Sequence, residues 1–96
     1  MDKKLKNEAE TKAQIIMNYY QSKSYDLAIA NAKKLLKKFP NYVFLYNIIG
    51  LSLQAKKKFD ESINYFNKAL QINPNYFFAL NNIGLSYRLM GNNEEA

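Results

Sequence analysis

The sequence predicts an all-α chain, with antiparallel helix pairs stacked one on the next as an α-solenoid. Three observations predict it. Pro40 and Pro74 stand 34 residues apart, and so do Gly50 and Gly84. The residues around these anchors repeat in chemical type: Pro40-Asn41-Tyr42-Val43-Phe44 returns as Pro74-Asn75-Tyr76-Phe77-Phe78, and Asn47-Ile48-Ile49-Gly50-Leu51-Ser52 as Asn81-Asn82-Ile83-Gly84-Leu85-Ser86. Between the anchors, apolar residues recur at helical spacing, with Leu45, Ile48, Ile49 and Leu53 on one face and Ile63, Phe66 and Leu70 on another. A fixed period of this length marks one supersecondary unit that buries its apolar face only by stacking on copies of itself.

The elements follow in order. Pattern and punctuation place helices at about 4–20, 24–38, 43–56, 59–72 and 77–90, with a sixth beginning at about 93, each boundary carrying a few residues of error. Ser24 and Asp60 stand where a side-chain oxygen can serve a helix start. Lys56-Lys57-Lys58 and Gly91-Asn92-Asn93 read as turns. Pro40 and Pro74 end the second helix of their units, because proline cannot continue the hydrogen-bond ladder. Gly50 and Gly84 fall inside helices, where glycine costs about 1 kcal/mol against alanine. Close approach of a partner helix explains them, with Phe66 filling the space beside Gly50. In the first unit Ile16 stands for the glycine and Ala32 for the phenylalanine, a volume-conserving exchange.

The unit resembles the tetratricopeptide repeat. Residues 43–76 carry Tyr46, Ile49-Gly50, Leu53, Ser62, Phe66, Ala69 and Pro74 at that family's pattern positions. Residues 77–96 carry Leu80, Ile83-Gly84, Tyr87 and Ala96, and residues 9–42, which depart furthest from the pattern, carry Lys12, Ile15-Ile16, Tyr19, Ala28, Ala32, Leu35 and Pro40. The resemblance implies one domain over 1–96, with repeats at 9–42 and 43–76 and an incomplete third at 77–96.

Composition limits the chemistry. Absence of cysteine removes disulfide and thiolate chemistry, and absence of histidine removes the commonest general base and metal ligand. No apolar run reaches the roughly 20 residues of a membrane span. The first residues, Met1-Asp2-Lys3-Lys4-Leu5, do not form a secretory leader, which points to the cytoplasm. Asp60-Glu61 and Glu94-Glu95 recur at expected helix starts, where a helix dipole favours acids, and adjacent helical residues point apart. No catalytic residue, metal site or cofactor is expected, and the chain reads as a binding module.

That family lines a concave groove with the first helix of each unit. The resemblance therefore implies groove residues Met17 and Tyr20 in the first unit, with Ala13 and Gln21 beside them. In the second it implies Phe44, Asn47, Leu51 and Gln54, with Ile48, and in the third Phe78, Asn81, Asn82, Leu85 and Arg88. Phe44/Phe78, Asn47/Asn81 and Leu51/Leu85 are one period apart. A carboxamide both donates and accepts, so spaced asparagines can hold a peptide backbone while the phenylalanines frame apolar pockets. The positions with which one branch of the family clamps a C-terminal carboxylate read Ala13, Met17, Ile48, Phe78 and Asn82, which argues against that mode.

Two further partners are weighed. The final helix has no second helix to cover it, so a homo-oligomer, a dimer, is expected through Leu85, Leu89 and Met90. The net charge of +6 is concentrated in residues 1–42, which hold nine lysines and four acids. Lys33, Lys34, Lys37 and Lys38 could attract nucleic acid or an anionic surface. No aromatics interleave with them as a stacking platform requires, so a solvated outer face is the expectation.

Overall fold

A computed structural model describes residues 2–95, with side chains to Gly91. It contains five helices among the described residues: α1 (Lys3–Gln21), α2 (Tyr25–Lys38), α3 (Val43–Ala55), α4 (Phe59–Ile72) and α5 (Phe77–Glu95). Each helix packs on the next in chain order, and α1 also packs on α3, and α3 on α5. Two layers result, α1, α3 and α5 in one and α2 and α4 in the other. The odd-numbered helices touch in sequence, α1 on α3 and α3 on α5, whereas α2 and α4 do not, so the first layer is the tighter, inner one of a slab measuring 49 × 28 × 17 Å.

The two inter-helix turns within the hairpins are alike. Lys23 and Lys57 both have a φ of 66°. The amide of Ser24 donates to the Tyr19 carbonyl at 2.8 Å and that of Lys23 to Tyr20 at 3.0 Å; Lys58 to Leu53 at 2.9 Å and Lys57 to Gln54 at 3.0 Å repeat the arrangement. This is the Schellman closure, here with lysine at the left-handed position that glycine usually takes. Ser24 does occupy the N-cap of α2 but its side chain makes no capping bond, and Lys58, not Asp60, is the N-cap of α4. Asp26, Asp60 and Glu61 lie in first turns, where the helix dipole favours them.

The expected turn at Gly91-Asn92-Asn93 and the sixth helix are corrected by the structure: α5 runs unbroken through Glu95. Gly91 stands one period beyond Lys57, as Lys57 does beyond Lys23, yet its φ is not positive. The physical difference is the return helix. α2 docks back on α1 and α4 on α3, and this packing rewards the turn, whereas no described element docks back on α5.

The core lies between the layers as two clusters of buried residues, with half-buried Tyr46 and Leu51 packed against both. Ala9, Ala13, Ile16, Ala28, Ala32, Leu45, Ile48 and Ile49 form its first part, and Phe66, Ala69 and Ala79 the second. Gly50 lets α4 approach: a Cβ there would stand 2.6 Å from Phe66 Cδ1 and 2.8 Å from Cζ. Ile16 and Ala32 are both buried in one cluster, as the reversed size pairing of the first unit requires. No helix is long and apolar enough to cross a membrane among the described residues.

Candidate peptide-binding face

The inner layer brings the side chains expected to line a groove to α1, α3 and α5, and burial sorts them. Met17, Tyr20, Phe44 and Leu51 are half-buried and pack on the core with an edge to solvent. Leu85 is half-buried, and Phe78, Asn81 and Arg88 are exposed. Gln21 is exposed as well, whereas Ala13 and Ile48 are core residues that do not reach the surface. Phe44 lies 6.1 Å from Tyr42 between ring centroids, and Phe78 lies 5.5 Å from Tyr76. The same tilted aromatic pair therefore marks the start of α3 and of α5. Burial, then the neighbouring Glu10, raises the Tyr42 phenol above its ordinary value; burial, then Tyr42, raises that of Tyr76. Glu10, Tyr42 and Tyr76 thus follow one another along an edge of the array.

Three of the expected groove residues are joined to one another. Asn47 is buried, and its Oδ1 accepts from Asn82 Nδ2 at 3.1 Å. Gln54 Nε2 donates to the Asn82 carbonyl at 3.1 Å and to Ser86 Oγ at 2.8 Å. Ser62 Oγ donates to the Phe59 carbonyl at 2.7 Å and lies 3.0 Å from Ser86 Oγ. A hydroxyl has one proton, and that of Ser62 is spent on Phe59. Ser86 therefore donates to Ser62 while accepting from Gln54. The chain Gln54–Ser86–Ser62–Phe59 runs from the inner layer into the outer one and ties α3, α4 and α5. Sequence reasoning missed it. The signal was present in the Gly-Leu-Ser triplet, since Ser52 and Ser86 recur one period apart and are both fully buried. In the first interface Ala28 stands at the Ser62 position, and Ser52 Oγ donates instead to the Ile48 carbonyl at 2.9 Å.

The lysines lie on α1, on α2 and α4 of the outer layer, and at the turns. Lys38 Nζ donates to both Glu8 oxygens at 2.9 and 3.0 Å, and Lys12 lies 3.2 Å from the same carboxylate. Lys38 first, then Lys12, holds the Glu8 carboxyl below its ordinary range. Lys56 pairs with Asp26. Lys68 and Lys33 sit over the Tyr65 ring, 4.4 and 5.8 Å from its centroid. A cleft of about 560 Å³ lies away from the inner face's centre, between the start of α1 and the α2–α3 loop, lined by Ala9, Phe39, Pro40 and Tyr42 with Lys6, Glu10 and Lys38 at its rim. Among the described residues no three His, Cys, Asp or Glu side chains could share a metal ion.

Stacked helical hairpins with a sorted inner face define the class, a helical-repeat interaction module. The chain belongs to the tetratricopeptide repeat family: models of the tetratricopeptide repeat match residues 43–76 and 65–96. Solved structures agree. MamA of MSR-1 is 31% identical with a TM-score of 0.77, over 92% of this chain and 51% of that one. MamA of AMB-1 is 31% identical with a TM-score of 0.74, over 92% and 48%. The first tetratricopeptide repeat domain of human RPAP3 superposes with a TM-score of 0.81 at 19% identity, over 88% and 67%, and shares the fold. The chain spans about half the length of these MamA chains. No curated protein sequence matches. Domains of this family are interaction modules.

Proposed function

We propose that the chain recognises an extended segment of a partner protein across the α1–α3–α5 face, as an adaptor within a larger protein. The observation that supports this most is the repeated aromatic edge, with Tyr42–Phe44 and Tyr76–Phe78 set alike on successive inner helices. Between them Leu51 and Leu85 offer half-buried apolar surface, and exposed Asn81 and Arg88 offer polar contacts. Asn47 and Gln54 take a supporting part in this reading, because their hydrogen bonds fix α5 against α3 and so set the spacing between the two aromatic pairs. Asn81, one period from Asn47 and exposed, takes the role of backbone recognition. The chemistry favoured is an extended peptide with spaced apolar side chains and acidic flanks, given the net charge of +6. The lysine clusters act in this reading as solvated or locally paired charge and not as a nucleic-acid surface.

An array of twelve-residue peptides, about half of them acidic and each carrying two apolar residues at varied spacing, tests it. Binding that falls about tenfold in Phe44→Ala and Asn81→Ala, with helix content unchanged, supports the reading. An array without binders, or binding indifferent to both substitutions, overturns it.

A further inference from the structure

The cleft of about 560 Å³ between the start of α1 and the α2–α3 loop coincides with a difference between two repeats. It opens between the first unit and the second, and both of its walls lie within the described residues. The loop wall is built alike in both units. The Phe39 amide donates to the Leu35 carbonyl at 2.9 Å and the Tyr42 amide to the Phe39 carbonyl at 3.2 Å; one period on, Asn73 to Ala69 at 2.9 Å and Tyr76 to Asn73 at 3.0 Å repeat them. The Tyr46 hydroxyl also donates to the Pro40 carbonyl at 3.1 Å, so the fold alone holds this wall. The helix wall differs. Where α3 has Val43 and Phe44, α1 has Ala9 and Glu10. Val43 and Tyr76 pack on the second core cluster, and Phe44 and Tyr42 on the first. The first unit gives up a branched side chain and a ring from its helix wall, and the cleft lies there.

The floor of the cleft is apolar and its rim is charged. Ala9 and Phe39 are buried, and Tyr42 is half-buried. At the rim, Lys38 donates to both oxygens of Glu8, which neutralises it. Lys6 and Glu10 are both exposed, and neither is ion-paired among the described residues. They stand about 6 Å apart along the α1 axis, one turn from each other. The Glu10 carboxylate is close enough to Tyr42 to help raise its phenol, so the anion of the rim lies toward that ring. The volume falls within the roughly 300–1,000 Å³ of sites that enclose small ligands, which is room for one large side chain. A carboxylate next to such a side chain is favoured at Lys6 and repelled at Glu10.

We infer that this cleft is an anchor pocket for one aromatic side chain of the partner segment, with an acidic neighbour of that side chain paired to Lys6. The occupant supplies from outside the ring that the second unit carries in its own Phe44. An aromatic side chain suits the place because it brings a large apolar area and has few bonds to immobilise. The pocket also continues the aromatic edge, since Tyr42 both lines it and forms the pair with Phe44. Lys6 and Glu10 together read on which side of the ring the acid stands, and so set the direction of the segment. The nature of the partner rests on the peptide reading, whereas the chemistry of the pocket stands by itself.

Capped dipeptides titrated into the isotope-labelled full chain, with amide chemical shifts as the readout, test it. Acetyl-Phe-Asp-amide is expected to shift the amides of Ala9, Phe39 and Tyr42 with millimolar affinity, and acetyl-Ala-Asp-amide to bind at least tenfold more weakly. Glu10→Phe gives the first unit the ring of the second and is expected to lower the affinity for acetyl-Phe-Asp-amide at least tenfold. Glu10 is exposed, so helix content is retained. Lys6→Glu is expected to exchange the charge preference, acetyl-Phe-Lys-amide then binding about threefold better than acetyl-Phe-Asp-amide, the size an exposed charge pair allows. Shifts that are absent at about 20 mM ligand, centred away from the cleft or indifferent to Glu10→Phe overturn the inference. So does a charge preference that Lys6→Glu leaves unchanged. Phe44 and Asn81, whose substitution tests the peptide face, do not line the cleft, so failure of one reading is distinguishable from failure of the other.

Discussion

Phe66 occupies the volume that Gly50 leaves empty, its ring atoms coming within 3 Å of where a Cβ would stand, whereas Gly84, one period on, faces open space. Two glycines in equivalent sequence positions therefore carry opposite predictions. At Gly50 an added methyl gains about 1 kcal/mol of helix propensity but overpacks a rigid aromatic contact, which costs typically 1–3 kcal/mol. Gly50→Ala is expected to destabilise by about 1 kcal/mol net, and Gly50→Ala combined with Phe66→Leu to recover part of the loss. At Gly84 only the propensity remains, so Gly84→Ala is expected to stabilise by up to about 1 kcal/mol. Urea unfolding at micromolar concentration, where association does not contribute, measures both. The same sign at the two positions would contradict the packing account.

The period told most of the fold. Pro40, Pro74, Gly50 and Gly84 set the register, and the helices they imply agree with the observed ones to within two residues up to Lys56 and again at α4 and the start of α5. What failed was local and has one cause. The turn at Gly91 is coded like those at Lys23 and Lys57, yet a turn is held by the helix that returns across it, and no described element returns across α5. The same cause separates Asn47 from Asn81 and Phe44 from Phe78: identical residues are buried or exposed according to what stacks beyond them. Hydrogen-bond partners were not legible either. The family resemblance implies Gln54 as a groove residue, and nothing in the pattern tells that its amide reaches Ser86 across the interface.

The Gln54–Ser86–Ser62 chain makes a graded prediction. Removing one partner of a buried hydrogen bond costs about 1–3 kcal/mol when the other is left unsatisfied. Ser62→Ala leaves the Ser86 proton without its acceptor, but the first interface shows the escape. There Ala28 stands in that place, and Ser52 turns to the carbonyl four residues back. Ser86 can turn to Asn82 in the same way, so the loss is expected near 1 kcal/mol, not 3. In the double variant Ser62→Ala and Ser86→Ala the hydroxyl pair is gone together, and the combined loss is expected to fall below the sum of the single losses. A double-mutant cycle by thermal unfolding checks this; strict additivity would mean that the two hydroxyls do not share a proton.

Lys57 tests the turn. A residue with a side chain at a φ of 66° carries about 1 kcal/mol of steric strain, which grows with branching at Cβ. Glycine relieves it but gives back about 0.4–1 kcal/mol through a more flexible unfolded chain. Lys57→Gly is therefore expected to be neutral or slightly stabilising, and Lys57→Val to destabilise by about 1–2 kcal/mol. Because the Lys57 side chain is exposed, packing does not enter. Equal unfolding midpoints for the two variants would show that the Schellman closure does not hold this geometry in solution.

Alkali is expected to weaken the fold before it ionises an isolated tyrosine completely. Burial is the leading cause that raises the Tyr20, Tyr42 and Tyr76 phenols above 10.0, with Tyr25, Glu10 and Tyr42 adding to it in turn. A group whose proton is held more tightly in the folded state gives stability that is complete below the unfolded value and lost as pH rises through the folded one. The loss should therefore begin above about pH 10 and stay absent at neutrality. Glu8, held low by Lys38 and Lys12, acts on the opposite side, and its contribution is lost as pH falls below its ordinary 4.5. Urea midpoints followed alongside phenolate absorbance measure the alkaline limb. Tyr42→Phe and Tyr76→Phe should flatten it without altering the neutral midpoint by as much, because the ring is kept and only the ionisable hydroxyl is removed. An alkaline limb unchanged by both substitutions would place its origin elsewhere than in the tyrosine edge that joins α3 to α5.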